Sequence, residues 1–320
     1  MKVIYLDTKD SGISGDILLS ALLELTDDPK KILKELEELK DYLSGISILQ
    51  IKLEKIKRHE LKINKLNIII KENKDHRTVN ELKESLARFL KDKEFSLETS
   101  KYAKNVLNSL INAEAKVHEN LPEKVHLHEL SSVDTLIDII GVTKALNEIG
   151  YFSQKCNLYM SELPLGGGKV KTAHGILPVP APATMKIVEN SKLDVKLGPI
   201  ENEITTPTGA ALLTNLNITL KSPKMKIYKV AYSTGEKEFK DFLNILKIYY
   251  GEQTNLNNPV PDIDLEQYHQ NIAVLETNVD DVTGENIGNF INIMESEDIL
   301  DIQVIRNFGS QVFYIRQILC

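Results

Sequence analysis

The densest group of side chains able to do chemistry lies mid-chain. Val125-His126-Leu127-His128-Glu129-Leu130 is followed by Asp134 and Asp138, and three of the seven histidines (118, 126 and 128) fall within eleven residues. In an extended segment His126 and His128 point the same way, because side chains alternate with period two. Two imidazoles beside carboxylates such as Glu129 suit a borderline divalent ion, nickel or zinc. Asp134 and Asp138 stand four residues apart and share one face of a helix. His-x-His also arises by chance, and Asp134 can equally serve a helix start.

Four further groups carry possible chemistry. In Leu165-Gly166-Gly167-Gly168-Lys169-Val170-Lys171-Thr172-Ala173-His174-Gly175, three glycines would let backbone N–H groups approach an anion, and Lys169 and Lys171 add positive charge. The same glycines would also suit a β-hairpin turn. His174 precedes Leu177-Pro178-Val179-Pro180-Ala181-Pro182, whose prolines would stiffen a loop. In Thr205-Thr206-Pro207-Thr208-Gly209-Ala210-Ala211, Thr206 is placed to cap a helix with Pro207 at its first position, and such an end also attracts anions. Ser11-Gly12-Ile13-Ser14-Gly15-Asp16 is neither a P-loop nor a dinucleotide fingerprint. Asp7 before it and Asp16 within it are metal or general-base candidates. Glu276-Thr277-Asn278-Val279-Asp280-Asp281 ends in adjacent aspartates that can hold Mg²⁺ or Mn²⁺ with nucleotide phosphates, or form a solvated turn.

Positioning these groups requires both helices and strands. Val3–Leu6 predicts a buried strand, leading through the glycine turn into a helix over Ile17–Leu25. Lys31–Tyr42, Thr78–Leu90, Leu97–Val117 and Val133–Ile149 show helical spacing, the last ended by Gly150. Ile46–Ile56 and Leu61–Ile69 alternate, with a slip at Leu49, and predict a strand pair turning at Lys57–Glu60. From Cys156 to Tyr250 glycine and proline rise and strands dominate, with short helices near Ala183–Val188 and Gly209–Leu216 and a strand over Phe242–Tyr250. Residues 251–270 are polar, with prolines and asparagines, and read as connecting chain. After them come strands at Ile272–Glu276, Asp301–Ile305 and Val312–Leu319, with a helix over Glu285–Met294 between the first two. That short unit has a thin core of its own. The expected fold class is α+β: a large mixed domain over 1–252, a linker over 253–270, and a small ferredoxin-like βαβ unit over 271–320. The exposed sheet edge of the small unit makes a homo-oligomer the expectation.

Composition narrows the function classes. The 320 residues carry 39 Lys and Arg against 46 Asp and Glu, a formal charge of −7. Such a balance gives no global attraction to nucleic acid or to anionic membranes. Two cysteines, Cys156 and Cys320, exclude a disulfide framework and an all-cysteine zinc site, and fit a reducing cytoplasm. The N-terminus lacks a signal-peptide pattern, and no apolar run approaches the ~20 residues a membrane span needs.

Taken in order, the motifs resemble one family. Ser-Gly-Ile-Ser-Gly-Asp at 11–16, Val-His-Leu-His-Glu-Leu at 125–130, Val-Asp-Thr-Leu-Ile-Asp-Ile-Ile-Gly at 133–141, Leu-Pro-Leu-Gly-Gly-Gly at 163–168, Ala-His-Gly-Ile-Leu-Pro-Val-Pro-Ala-Pro-Ala-Thr at 173–184 and Thr-Pro-Thr-Gly-Ala-Ala at 206–211 look like the LarC-type nickel-insertion proteins. The resemblance covers most of residues 1–300, and the 173–184 string is long and unusual. It implies a chelatase of the lyase class. Such an enzyme places Ni²⁺ into pyridinium-3,5-bisthiocarboxylic acid mononucleotide, consumes CTP with Mn²⁺ or Mg²⁺, and yields the nickel-pincer nucleotide cofactor of lactate racemase-type enzymes.

Carried onto this chain, the resemblance makes His126, His128, Glu129, Asp138 and His174 metal ligands, with Asp7, Asp16 and Asp134 catalytic. Ser14, Gly166, Gly167, Gly168, Lys169, Lys171, Thr206, Thr208 and Gly209 would hold the substrate and its phosphate. Glu276, Asn278, Asp280 and Asp281 would hold nucleotide and Mn²⁺. Relatives usually continue past Cys320, so residues 271–320 are expected to begin a CTP-binding domain that is incomplete here. A separate C-terminal fragment or the racemase-type apoenzyme would then be a partner. Two other readings stay open: a nickel-delivery module without turnover, and a metal-dependent nucleotide phosphohydrolase.

Overall fold

In the computed structural model the described residues are 1–58, 60–74, 77–125, 133–172, 175–189, 191–240, 242–254, 273–279, 282–294, 299–306 and 313–319. They divide into two units, Met1–Thr254 and Asn255–Cys320.

The first unit is built on a mixed sheet. Its central strand β1 (Lys2–Asp7) lies parallel to β4 (Cys156–Met160) and antiparallel to β11 (Leu246–Gln253). Beyond β11 come β10 (Met225–Ser233), then β3 (Leu61–Glu72) and β2 (Ile46–Arg58); beyond β4 comes the short edge strand β9 (Ile218–Leu220). Val3, Ile4 and Leu6 of β1 are fully buried, as a strand covered on both faces must be. The edge strand β2 presents Lys52, Glu54, Lys55 and Lys57. Such a charged edge discourages pairing with another chain. Two small ribbons, β5–β8 (Leu163–Pro164 with Val195–Lys196) and β6–β7 (Lys169–Thr172 with Gly175–Pro178), complete the strands of this unit.

The helices begin where local chemistry starts them. Asp28 caps α2 (Pro29–Glu37), with Pro29 at its first position. Thr78 and Glu81 form a reciprocal capping box on α3 (Val79–Asp92), Ser96 caps α4 (Leu97–Val117), and Thr206 caps α7 (Pro207–Thr214). These side chains satisfy amide donors that the first helical turn leaves without partners. Helix α1 (Gly15–Leu25) packs against β3, β10 and β11, and α5 (Val133–Ile149) packs on α1. Apolar residues are spread almost all round α5, the composition of an interior helix. Its Gly141 lets the two helices close, since a Cβ there would stand 2.6 Å from a Leu19 methyl. Gly150 ends α5 at φ +93°, a conformation that favours glycine. The short helix α6 (Pro182–Val188) packs against α4 and α7.

Three details differ from the sequence expectation. The hairpin strands run further, so that β2 reaches Arg58 and the turn shrinks toward Glu60 at φ +64°. The slip in alternation is a bulge between Ile46 and Ile48. The expected strand at Phe242 begins only at Leu246, because Asn244 adopts φ +47° and breaks the extended run. That strand continues to Gln253, and Thr254 N–H still bonds Lys224 C=O at 3.0 Å, so the first unit extends into the polar segment.

The second unit holds β12 (Ala273–Val279), α8 (Gly284–Met294), β13 (Ile299–Arg306) and β14 (Phe313–Leu319). Strand β14 lies between β12 and β13, antiparallel to both. This is a split β-α-β arrangement, in which a third strand fills the gap left by the crossover.

Candidate functional site

Three sequence motifs far apart in the chain are locked together at one end of the first unit's helical layer. The loop from Ser11 to Ser14 leaves β1, and Ile13 N–H bonds Thr205 Oγ1 at 3.1 Å while Thr206 N–H bonds Ile13 C=O at 3.0 Å. A Cβ on Gly12 would lie 2.0 Å from Ile204 O, and one on Gly209 would lie 2.0 Å from Ile13 O. Contact between backbones at that range admits only glycine. Gly15 plays the same part toward α5: a Cβ there would stand 2.0 Å from Asp138 Oδ2. The 11–16, 133–141 and 206–211 motifs thus meet because their glycines permit it.

A cavity of about 570 Å³ opens at this junction. The N-terminal ends of α1, α5 and α7 contribute Asp16, then Asp134 with Asp138 one turn on, then the cap Thr206 and Thr208, while Leu66, Ile68 and Ile70 of β3 line it as well. Glu114, Glu203 and Glu236 also face it. The six carboxylates form two groups by their partners. Glu114 is 3.3 Å from His118, Glu203 is 3.9 Å from Lys237, and Glu236 is 2.7 Å from Lys65. Asp16, Asp134 and Asp138 have no basic partner among the described residues. The Ser14 hydroxyl donates to Asp16. Asp138 is 8% exposed, and its Oδ1 makes no hydrogen bond to any described residue.

That isolation governs their protonation. Burial, with the charges of Asp16 and Asp134 behind it, pushes the Asp138 carboxyl well above the usual range. Burial likewise raises Asp16, against the Ser14 hydrogen bond and with Glu236 adding repulsion. Asp134 is raised by burial and by the charges of Glu72 and Asp16. A buried carboxylate without a partner takes up a proton or a cation. Among the described residues no three His, Cys, Asp or Glu side chains close on one point as a preformed ion site, so a cation held by these aspartates needs side-chain movement or donors from elsewhere.

The other candidates are distributed as follows. His126, His128, Glu129 and His174 lie outside the described residues, as do Asp280, Asp281 and Cys320. Residues 126–132 lead directly into α5. Glu276 and Asn278 are on β12, paired in register with Arg316 and Tyr314 of β14. Asp7 ends β1 away from the cavity lining, with Lys247 Nζ at 3.1 Å from Asp7 and 3.0 Å from Asp10. Burial pulls the Lys247 ammonium down, but bonds and charges from Asp10 and Asp7 outweigh it and set it at about 12. Thr206 Oγ1 accepts from Gly209 N–H at 3.2 Å, so that hydroxyl is engaged as the α7 cap. Gly166 and Gly168 pack against 201–202, where Cβ atoms would stand 2.0 Å from Asn202 O and 2.7 Å from a Glu201 carboxylate oxygen. Lys169 and Lys171 follow on β6. Cys156 is buried, and burial raises its thiol to about 12, which makes it inert.

Sequence reasoning missed Glu114, Glu203, Glu236 and the β3 wall. Glu236 follows Gly235, whose Cβ would stand 3.4 Å from Asp16 Oδ2. No local pattern marked these residues, since only folding brings them to Asp16.

Fold and cavity together describe an α+β protein with a carboxylate-lined hollow, in which the described residues offer oxygen donors. Comparison with known proteins names the family: the model described as "Nickel insertion protein" matches residues 4–308, and the chain belongs to that family. It is 35% identical over 301 residues to the pyridinium-3,5-bisthiocarboxylic acid mononucleotide nickel insertion protein of Staphylococcus epidermidis, covering 94% of this chain and 69% of the relative. It is 31% identical over 315 residues to the protein of the same name from Geobacillus kaustophilus, covering 94% and 72%. No solved structure matches the chain. No helix among the described residues is long and apolar enough to cross a membrane.

Proposed function

We propose that this chain inserts Ni²⁺ into pyridinium-3,5-bisthiocarboxylic acid mononucleotide, with the ion passing through the aspartate cavity. Family membership supports the task. The observation that carries the site is Asp138: a buried carboxylate with an oxygen that has no hydrogen-bond partner among the described residues, facing a cavity shared with Asp16 and Asp134. Carboxylate oxygens hold a borderline ion without the grip of thiolates, so a sulfur-bearing acceptor can draw it away. His126, His128, Glu129 and His174 are the nitrogen and oxygen donors proposed to complete the ion's shell in transit. Ser14 and Thr208, at the helix starts that line the cavity, are proposed to face the acceptor's phosphate, with Gly166–Gly168, Lys169 and Lys171 as the second phosphate candidate. Of the three aspartates expected to be catalytic, Asp16 and Asp134 are the two proposed to act in the cavity, while Asp7 is paired with Lys247.

CTP with Mn²⁺ or Mg²⁺ is proposed to drive the reaction as a lyase-class chelatase, with Glu276, Asn278, Asp280 and Asp281 as its residues. The product would serve a lactate racemase-type apoenzyme in the cytoplasm. Incubating the chain with Ni²⁺, Mn-CTP and the bisthiocarboxylate acceptor, then following the nickel-bearing product by mass spectrometry, tests the reading. Asp138→Asn and Asp16→Asn should each lower the yield at least tenfold. Yields equal to the parent would remove the cavity from the reaction.

A further inference from the structure

His118, the one histidine among the described residues, stands behind a carboxylate of the cavity. It closes the last turn of α4, where its N–H bonds Glu114 C=O at 3.0 Å, so the two side chains leave one face of the helix four residues apart. His118 Nε2 is 3.3 Å from Glu114 Oε2, and Glu114 lines the cavity with Asp16, Asp134 and Asp138. An ion that holds an imidazole nitrogen and a carboxylate oxygen at right angles, about 2.1 Å from each, keeps them about 3.0 Å apart. The pair therefore already stands near the bite of a two-point metal grip, at the helical spacing by which two histidines grip zinc. The side chains also grade inward. His118 is 29% exposed and Glu114 16%, while Asp138, with an oxygen that no described residue answers, is nine-tenths buried.

We infer that Glu114 and His118 are the station at which Ni²⁺ enters. The ion displaces the hydrogen bond between them, is held by imidazole and carboxylate with water completing its shell, and then passes to Asp16, Asp134 and Asp138. Glu114 belongs both to the pair and to the cavity lining, so it keeps hold of the ion during the transfer. Its partner is what sets it apart from the other two paired glutamates. Lys65 and Lys237, beside Glu236 and Glu203, are ammonium donors that repel a cation, whereas an imidazole binds one. Carboxylates alone suit magnesium, and an imidazole at the entrance biases capture toward nickel. The pair is a station rather than a residence, because two protein ligands hold an ion loosely and no third His, Cys, Asp or Glu among the described residues closes on it. The inference rests on the nickel-insertion reading in naming the ion, and adds two residues that reading does not use.

The test uses the full chain and Ni²⁺, with stopped-flow competition against a metal-indicator dye for the rates and calorimetry for the equilibrium affinity. A group that holds the ion only in passage lowers the barrier in both directions, so its loss slows uptake and release alike. His118→Gln and Glu114→Gln should each slow both rates at least tenfold and leave the affinity within twofold, and the double variant should be no slower than either single one. His118→Cys, which restores a nickel ligand, should return the rates to within threefold of the parent. Damage to the fold would instead weaken the affinity, and cysteine would not repair it. The inference is overturned by a glutamine variant whose rates match the parent, by a tenfold loss of affinity in either, by slowing that multiplies in the double variant, or by a cysteine variant as slow as the glutamine one. Asp138→Asn keeps the two readings apart: if it weakens nickel binding while His118→Gln changes nothing, the cavity stands and the entry station falls. Failure of nickel insertion with the kinetic results intact would count against the insertion reading alone.

Discussion

The first unit buries charge in two ways. On the hairpin side, the guanidinium of Arg58 is enclosed by the 234–238 loop: it donates to Thr234 Oγ1 at 2.5 Å and to carbonyls of Gly235, Glu236 and Lys237 at 3.3, 3.4 and 3.5 Å, and its Nε stands 2.8 Å from Glu238. Arg77, 4% exposed, donates to Glu72 at 2.7 Å and to Ser44 O at 3.1 Å. At the helix junction, Asp16, Asp134 and Asp138 have no such counter-charge among the described residues. Desolvating an ion costs several kcal/mol unless partners replace water. The arginines have those partners within the chain, so they serve the fold. The aspartates lack them among the described residues, which leaves a proton or a metal ion as candidates to answer their charge. Perturbed carboxyls in a cleft are where function is sought, and the contrast with the two arginines is what separates that reading from mere burial.

The sharpest way to break the comparison is Arg58→Met. It leaves the buried Gly235 carbonyl and Thr234 hydroxyl without the guanidinium donor and should cost about 3 kcal/mol of stability, in the range for breaking a buried ionic network; urea unfolding reads it. Asp138→Asn should do the opposite. It removes an unpaired buried acid, so stability should hold or rise by up to about 1 kcal/mol, while Ni²⁺ affinity measured by calorimetry falls at least tenfold. Equal loss of stability in both variants would erase the distinction.

The pH dependence sharpens it further. The folded-state carboxyls of Asp16, Asp134 and Asp138 are raised above the ordinary 3.8. Their contribution to the metal-free chain is therefore fully present below about pH 4 and is lost as pH rises through the folded values. Glu81, lowered to about 2 by Lys74 and by the Thr78 amide, behaves in reverse: its contribution is present above 4.5 and lost as pH falls toward 2. Unfolding curves from pH 4 upward should show a decline that Asp138→Asn flattens and that added Ni²⁺ reverses; a flat parent curve would show that the aspartates ionise freely. The smallest effect belongs to Lys65→Gln. Its partner Glu236 is largely exposed, so stability should change by less than about 1 kcal/mol. Freeing that carboxylate should tighten Ni²⁺ about twofold, and weaker binding would show that Lys65 supports the cavity rather than competes for Glu236.

Much of the scaffold was legible locally. Thr206 with Pro207 announced α7, and the unbroken apolar composition after Val133 announced an interior helix that Gly150 would end. These signals depend on neighbours a few residues apart. Where longer pairing intervened, local reading erred: β11 starts late because Asn244 turns the chain, and β2 lengthens because pairing with β3 holds it to Arg58. Asp16, Asp134 and Asp138 were named from motif spacing, but nothing local set them apart from Asp7, which the fold pairs with Lys247.

By itself, then, the sequence determined the elements, the family and the glycines at 12, 15 and 209, because caps, periodicity and motif strings are properties of short stretches. Only tertiary structure decided that those glycines are points of backbone and carboxylate contact, that Glu236 and the β3 isoleucines share a cavity with aspartates from α1 and α5, and which buried charges are answered. Whether a charge is neutralised depends on what stands within a few ångströms of it, and here those neighbours come from segments as much as two hundred residues away.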